Sequence, residues 1–377
     1  MKLLVAGAGP GGLVAALALR HAGHEVVVLE RSPELRTAGA GLVVQTNAMR
    51  MLARLGLDGP VRRAGCVLGQ GRIQTAEGQL LGLSNLQQVG MGHGQPTVAI
   101  HRKALSETLA ERLPASSLVF GAEVLGFEQD AQGVRVRSSA GDFEAQGLIG
   151  ADGLHSKVRE GLFGSIPPRY AGYTCWRGIC PVGHPLGAGA MSEAWGRGKR
   201  FGIVPIGTEL TYWFATENAP AEGRDQQPKA EVLARFADFA PPTGALIEAT
   251  PEQAILRNDI VDLEPLERWV EGRVGLLGDA AHAMTPNMGQ GAGQAIEDAV
   301  VLGALLERMP LVEALSAYEA TRLPRARQFV ERSWSMGSMA QWENGLARWL
   351  RDSAVRLTPE SVMVGQLDQV FGVEVPA

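Results

Sequence analysis

The run Gly7-Ala8-Gly9-Pro10-Gly11-Gly12 stands between an apolar segment, Lys2–Ala6, and a helical pattern ending near His21, and the next apolar segment ends in Glu30. A strand that turns at once into a helix needs a residue without a Cβ at the turn. Further glycines let the backbone approach a ligand and let the helix pack on the strand. The start of such a helix carries unpaired N–H groups and the positive end of its dipole, which suit a diphosphate. Glu30, closing the second strand, is placed to accept from a ribose hydroxyl. The pattern constrains the amino-terminal part to β-α-β and predicts a dinucleotide site at Gly7, Gly9, Gly11, Gly12 and Glu30. By itself it does not choose between NAD and FAD.

The chain has 377 residues, 45% hydrophobic and 20% charged, enough to bury one large or two medium cores. A formal net charge of -5 supplies no basic field of the kind that sequence-independent phosphate binding requires, so nucleic acid is not an expected partner. Cys66, Cys175 and Cys180 are odd in number and form no C-x-x-C pair, which fits neither a disulfide framework nor a metal site and points to a reducing cytoplasm. Lys2 ahead of an apolar run superficially resembles a leader, but the glycine pattern makes that run a folded strand. No segment offers about twenty uncharged apolar residues, so no membrane span is expected.

Periodicity predicts helices at 47–55 and 102–113, then short β-rich pieces at 118–127, 133–138 and 142–147 that suggest a small antiparallel layer. Residues 148–151 read as a return to the first sheet. Strand-like segments over 169–217 carry Tyr170, Tyr173, Trp176, Trp195, Phe201, Tyr212, Trp213 and Phe214, the composition of a sheet forming a pocket wall. A helical stretch at 227–248 is broken at Pro241-Pro242, a buried strand is expected at 273–277, and a long helix at 289–306. The rest, to about Arg356, reads as helical, and Trp334, Trp342 and Trp349 recur at roughly helical multiples that suggest core or interdomain packing, with dimerisation as the alternative. No repeat or linker separates the lobes, so they interleave.

Two more stretches carry chemistry. Gly150-Ala151-Asp152-Gly153-Leu154-His155-Ser156-Lys157-Val158-Arg159 contains an Asp-Gly pair, and Gly278-Asp279-Ala280-Ala281-His282 leads through Met284-Thr285-Pro286-Asn287-Met288 to Gly289-Gln290-Gly291-Ala292. Taken singly, an Asp-Gly pair is most often a plain turn and a Gly-Asp pair a helix cap. With the glycine fingerprint, in this order and spacing, they resemble the motifs of single-component FAD-dependent aromatic hydroxylases, the class A flavoprotein monooxygenases. The resemblance runs from Leu3 to about Arg332 and includes Arg102 opening its helix.

The resemblance implies an α/β Rossmann-like FAD-binding fold with an interleaved substrate domain on a mainly antiparallel sheet. Its discontinuous FAD part would comprise 1–70, 98–168 and 268–310, its substrate part 71–97 and 169–267, and its carboxy-terminal helices 311–377. The implied activity is that of a monooxygenase in which NAD(P)H reduces FAD, O2 adds to give a flavin C4a-hydroperoxide, and oxygen passes to an aromatic or heteroaromatic small molecule. Epoxidation of an alkene, or a dehydrogenase or oxidase reaction without oxygen insertion, are the alternatives, and a monomer or homodimer is expected. By the same resemblance Arg31 matches the adenosine end, Val43 the loop near the flavin ring, Arg102 the diphosphate or ribityl region, and Val124 the backbone beside adenine. Asp152 belongs to the second motif, Asp279 would accept from a ribityl hydroxyl, and Pro286, Gly289, Gln290, Gly291 and Ala292 would open the long helix. That helix start would face the negative charge of the reduced ring. His282 is read as a packing and hydrogen-bonding residue rather than a base.

On the substrate side, Tyr170 to Tyr173 and the stretch from Gly198 through Tyr212 are similar to bacterial urate hydroxylases, which carry an arginine and a tyrosine at Arg200 and Tyr212. The resemblance implies that Arg200 anchors an anionic or carbonyl oxygen and that Tyr212 orients it or relays a proton. Two departures, Asn287 for an acidic residue and Cys175 for an amide, leave the substrate open. Tyr173 to Gly178 and His282 to Asn287 are instead similar to the zeaxanthin-epoxidase-like branch.

Overall fold

The computed structural model of the chain describes residues 1–35 and 40–373. Among these, Lys2–Ala6 lies inside a six-stranded sheet in the order Val270–Glu271, Val274–Leu276, Gly147–Gly150, Lys2–Ala6, Glu25–Glu30, Leu118–Phe120. Neighbours run parallel except the short outer strand Val270–Glu271. Leu3, Leu4, Val5 and Ala6 are fully buried, the unbroken apolar run of a strand covered on both faces. From Lys2–Ala6 the chain moves to Glu25–Glu30 on one side and later returns to Gly147–Gly150 on the other. That reversal creates a crevice at the carboxyl ends of the strands.

Two helices cover one face of this sheet side by side. A Cβ on Gly11 would lie 2.9 Å from that of Ala295, and one on Gly303 would lie 2.9 Å from that of Ala18. Contacts of 11 with 295 and 18 with 303 advance in the same sense, so Pro10–His21 and Gly291–Leu306 run parallel and begin at the same edge. Small residues at the crossing allow the close approach.

The second large sheet has seven strands among the described residues, in the order Leu256–Asp262, Arg169–Cys180, Thr211–Asn218, Lys199–Pro205, Ala190–Trp195, Gln70–Thr75, Leu80–Asn85. It is mainly antiparallel as expected, but mixed: Ala190–Trp195 runs parallel to Gln70–Thr75. One face buries Trp176, Phe201, Trp213 and Phe236, with Phe201 stacked on Trp213 at 5.6 Å. By the alternation of a strand the other face presents Tyr173, Cys175, Tyr212, Phe214 and Val204. Against it rests a small sheet of Gly41–Val44, Thr97–His101 and Cys66–Leu68, joined through Val43, Leu68, Ala99, Ile179, Val204 and Tyr212.

Some expectations are corrected. The piece at 118–127 is two strands: Leu118–Phe120 joins the parallel sheet, and only Val124–Gln129 joins the antiparallel layer, pairing with Val134–Ser138, which in turn pairs with Gly141–Ala145. The break is at Gly121, which turns in the left-handed region. The long helix begins at Gly291, not 289, because Pro286–Met288 forms a separate 3-10 turn closed by Gly289 at φ 63°. Trp334 packs as expected, with the Arg169 guanidinium 3.6 Å over its ring, but Trp342 and Trp349 are exposed. The carboxy-terminal segment expected through 377 is described only to Val373.

Candidate active site

The three motifs meet at one edge. Gly7 follows Lys2–Ala6, Asp152 follows Gly147–Gly150, and Asp279 follows Val274–Leu276, three adjacent parallel strands, with Glu30 closing the fourth. Gly7 adopts φ 100°, and a Cβ there would lie 2.5 Å from the Ala151 carbonyl oxygen; one on Gly12 would lie 2.0 Å from that of Gly7. These two positions lock the loop against the second motif. A Cβ on Gly9 would meet nothing within 4 Å, so the loop is open on its outer side, as a backbone cradle for a diphosphate must be. Gly11 faces Ala295 and serves helix packing.

Glu30 is buried and holds the cradle directly: Oε2 accepts from the Ala8 N–H at 2.7 Å and Oε1 from the Ser32 N–H at 2.9 Å. Neither Pro10–His21 nor Gly291–Leu306 has a side-chain cap or an acidic residue in its first turn. Two parallel helices beginning side by side thus present uncapped N–H groups and two aligned positive ends to the same crevice. Such an arrangement repels itself until an anion sits there. Asp279 is exposed at the same edge, its Oδ1 3.9 Å from the Cβ position of Gly291. An acceptor carboxylate beside two anion-binding helix starts fits a dinucleotide with a polyol chain, so Gly9, the helix starts, Glu30 and Asp279 are the groups suited to hold FAD.

Other expected cofactor residues stand differently. Asp152 caps the helix Lys157–Phe163, accepting from Ser156 Oγ at 2.5 Å and from the Lys157 and Val158 N–H groups at 2.7 and 3.2 Å. Burial pushes its carboxyl up in spite of these donors. The Asp-Gly pair therefore has structural work of its own. Gln290 turns inward: its amide nitrogen donates to Gln45 Oε1 at 2.6 Å and Asn47 Oδ1 at 3.2 Å, while its oxygen accepts from Asn47 and Gln294 at 2.9 and 3.0 Å. Val124 is buried and pairs across to Ser138 at a bulge. Arg31 and Arg102 are exposed, as are Pro286 and Gly289, while Gly291 and Ala292 are half-buried at the helix start. Val43 is half-buried against the second sheet.

Beneath the helix start lies a buried ionic network that sequence reading missed, since its members come from separate helices. Asp298 accepts from the Gly278 N–H at 3.0 Å, His282 Nε2 at 2.6 Å and Arg322 Nε at 2.8 Å. Burial opposes its ionisation, but His282 and Arg322 prevail and hold the carboxyl at about 2. Glu297 is paired with Arg322 at 2.5 Å and Arg325 at 2.7 Å. His282 thus fixes the third motif, in the packing and hydrogen-bonding role expected of it. The second and third motifs are joined as well, by Arg159, whose guanidinium donates to the carbonyl oxygens of Leu154 and Ala280.

Arg200 and Tyr212 lie on the same face of the seven-stranded sheet as Tyr173 and Phe214. Arg200 is only 3% exposed, and its guanidinium is spent on protein partners: Gln341 Oε1 at 2.8 Å, Glu193 Oε1 at 3.0 Å and Asn287 Oδ1 at 2.8 Å. Asn287 also accepts from the Tyr173 hydroxyl at 3.1 Å and donates to Thr285 and Ser333. The asparagine thus joins the sheet to the turn that leads into Gly291–Leu306. Tyr212 leans on Phe214 with ring centroids 6.1 Å apart, and its hydroxyl is raised above the usual tyrosine range, first by burial. Glu193 and Gln341 carry no motif that could have identified them.

The profile of the FAD binding domain family matches residues 1–333. Over 360 residues the chain is 44% identical to an aurachin C monooxygenase/isomerase of Stigmatella aurantiaca, covering 95% of this chain and 94% of that protein. It is 34% identical over 373 residues to a 2-heptyl-3-hydroxy-4(1H)-quinolone synthase of Pseudomonas aeruginosa, covering 96% and 95%. The crystal structure of Klebsiella pneumoniae HpxO complexed with FAD and uric acid superposes with a TM-score of 0.93 at 31% identity, covering 98% of this chain and 96% of that one. No helix among the described residues is long and apolar enough to cross a membrane. With the motif loops gathered at one sheet edge and these likenesses spanning the chain, the protein belongs to the FAD binding domain family and is an FAD-dependent monooxygenase of the hydroxylase type.

Proposed function

We propose that the chain hydroxylates a nitrogen-heteroaromatic small molecule bearing a ring carbonyl or its anion, consuming NAD(P)H and O2 and releasing NAD(P)+ and water. The observation that carries this reading is the sheet face bearing Tyr173, Tyr212, Phe214 and Val204, set against Gly41–Val44 and tied by Asn287 to the turn before Gly291–Leu306. Aromatic side chains beside a strand are a common lining for a flat ring in small-molecule pockets. Two relatives named above, a quinolone synthase and a protein crystallised with uric acid, support a bicyclic nitrogen heterocycle as the substrate class.

FAD, when bound, supplies the electron transfer and oxygen activation. The protein's part is to bind, orient and keep water out. On this reading residues 1–70, 98–168 and 268–310 hold the cofactor, while 71–97 and 169–267 carry the substrate wall. Tyr212 orients the substrate, and Arg200 positions Asn287 and Tyr173 with its charge already met by Glu193. The test is turnover of the FAD-loaded protein with NADH or NADPH, isotopically labelled O2, and 2-heptyl-4(1H)-quinolone or urate. A ring-hydroxylated product carrying one labelled oxygen atom is expected. Stoichiometric hydrogen peroxide with both compounds unchanged would refute the reading.

A further inference from the structure

We infer that Arg177 is the cation that receives the ring-bound oxygen of the substrate, an assignment that rests on the hydroxylase reading above. Arg177 lies opposite Phe214 on one neighbouring strand and Leu256 on the other. Alternation along Arg169–Cys180 puts it on the same face as Tyr173, Cys175 and Ile179, with Tyr212 one residue pair beyond. It is half-buried there.

Among the arginines of the strands Arg169–Cys180, Lys199–Pro205 and Leu256–Asp262, what distinguishes Arg177 is its lack of a carboxylate partner. The groups that act on its charge are Cys175, which also takes a hydrogen bond from it, and then the Tyr212 and Tyr173 hydroxyls. Among the described residues no carboxylate or carbonyl oxygen accepts a hydrogen bond from its guanidinium. On this sheet the neighbouring arginines differ: Arg169 is paired with Asp262, Arg257 with Asp225 and Arg200 with Glu193. A partly desolvated guanidinium, with five donors in a planar fork, no carboxylate partner and the Cys175 sulfur as an acceptor, is unfavourable unless something else brings acceptors.

The surroundings select the class of that partner. Tyr212 and Phe214 supply ring surfaces on one side, and on the other Leu256 and Asn258 are exposed, leaving the edge of the face open to a small molecule. Aromatic walls beside one unspent cation suit a flat ring carrying an anionic or carbonyl oxygen. A bidentate or charge-assisted hydrogen bond from Arg177 would fix which edge of the ring points outward and which toward the cofactor.

The test uses FAD-loaded protein as the parent, Arg177→Met, Arg177→Lys and Arg200→Met. Each is titrated with 2-heptyl-4(1H)-quinolone, urate and salicylate, following flavin absorbance and fluorescence, with FAD content and Tm measured alongside. Arg177→Met is expected to weaken the tightest-binding probe by about ten- to a hundred-fold at unchanged FAD content, with Arg177→Lys intermediate. Should the methionine variant fail to fold, the lysine variant, which keeps the charge but loses the planar fork, carries the comparison. Binding equal to the parent in Arg177→Met, or loss in Arg200→Met alone, would overturn the assignment and leave the hydroxylase reading intact. Arg177-dependent binding of salicylate only would keep the assignment and remove the nitrogen heterocycle. Failure of all three probes to perturb the parent's flavin would overturn both.

Discussion

Arg159 Nη1 donates to the carbonyl oxygen of Ala280 at 3.0 Å, so the last residue of the second motif holds the third. Arg159 is 4% exposed and has a second acceptor in Leu154, which makes it a clamp between two loops that are distant in sequence. Arg159→Met keeps the bulk and removes both bonds. Stability is expected to fall by roughly 2–4 kcal/mol, since buried carbonyls lose charged donors. Denaturant unfolding of the apoprotein measures this, and an unchanged midpoint would show that the clamp carries no energy.

The glycine loop separates folding from ligand binding. Gly9→Ala adds a methyl into open space and is expected to leave apoprotein stability within about 0.5 kcal/mol, while weakening FAD binding at least roughly ten-fold. Gly12→Ala drives a methyl to 2.0 Å from the Gly7 oxygen and is expected to destabilise the protein itself. Equal FAD affinity in Gly9→Ala and the parent, by titration of apoprotein, would place the diphosphate elsewhere.

Asp279 and Asp152 should part company in the same way. Asp279→Asn alters an exposed carboxylate and is expected to lower FAD affinity with little change in Tm. Asp152→Asn weakens a helix cap and is expected to cost about 1 kcal/mol even without cofactor. Thermal scans of both variants, with and without FAD, give the comparison. A Tm loss in apo Asp279→Asn as large as that of Asp152→Asn would contradict it.

Acid sensitivity is expected from Asp298. Its folded carboxyl is held at about 2, below the ordinary value near 4 that it takes once unfolded. A depressed carboxylate contributes stability in full above the unfolded value, and that contribution fades as pH falls from about 4 through about 2. Asp298→Asn should therefore be less stable at neutral pH, because Arg322 and His282 lose a buried partner, yet show a flatter acid limb. Tm measured against pH for both proteins reads the slope. Parallel acid limbs would show that other carboxylates dominate.

Much of the cofactor edge was legible in the sequence because each part is local: a glycine loop, a strand end, a helix start. Gly7, Glu30 and Asp279 arrive together because three strands share a direction, and their apolar runs already fixed that. The substrate face was less legible. In the sequence Arg200 reads as a substrate anchor, and only the assembled sheet brings Glu193 of the neighbouring strand to its guanidinium; Gln341 comes from the end of another helix. Arg177 sat unremarked within Tyr173 to Gly178, since lacking a counter-charge is a property of the assembled sheet. Trp342 and Trp349 followed a helical period that gave no sign of which side faces water.

Because the loops at Gly7, Asp152 and Asp279 lie side by side although their strands are spread over most of the polypeptide, the edge proposed to hold the flavin is completed late in the protein's making. A chain still emerging from the ribosome can close Lys2–Ala6 against Glu25–Glu30, but it lacks the second helix start until Gly291 has been synthesised. Holding the cofactor therefore certifies that the whole framework has come together.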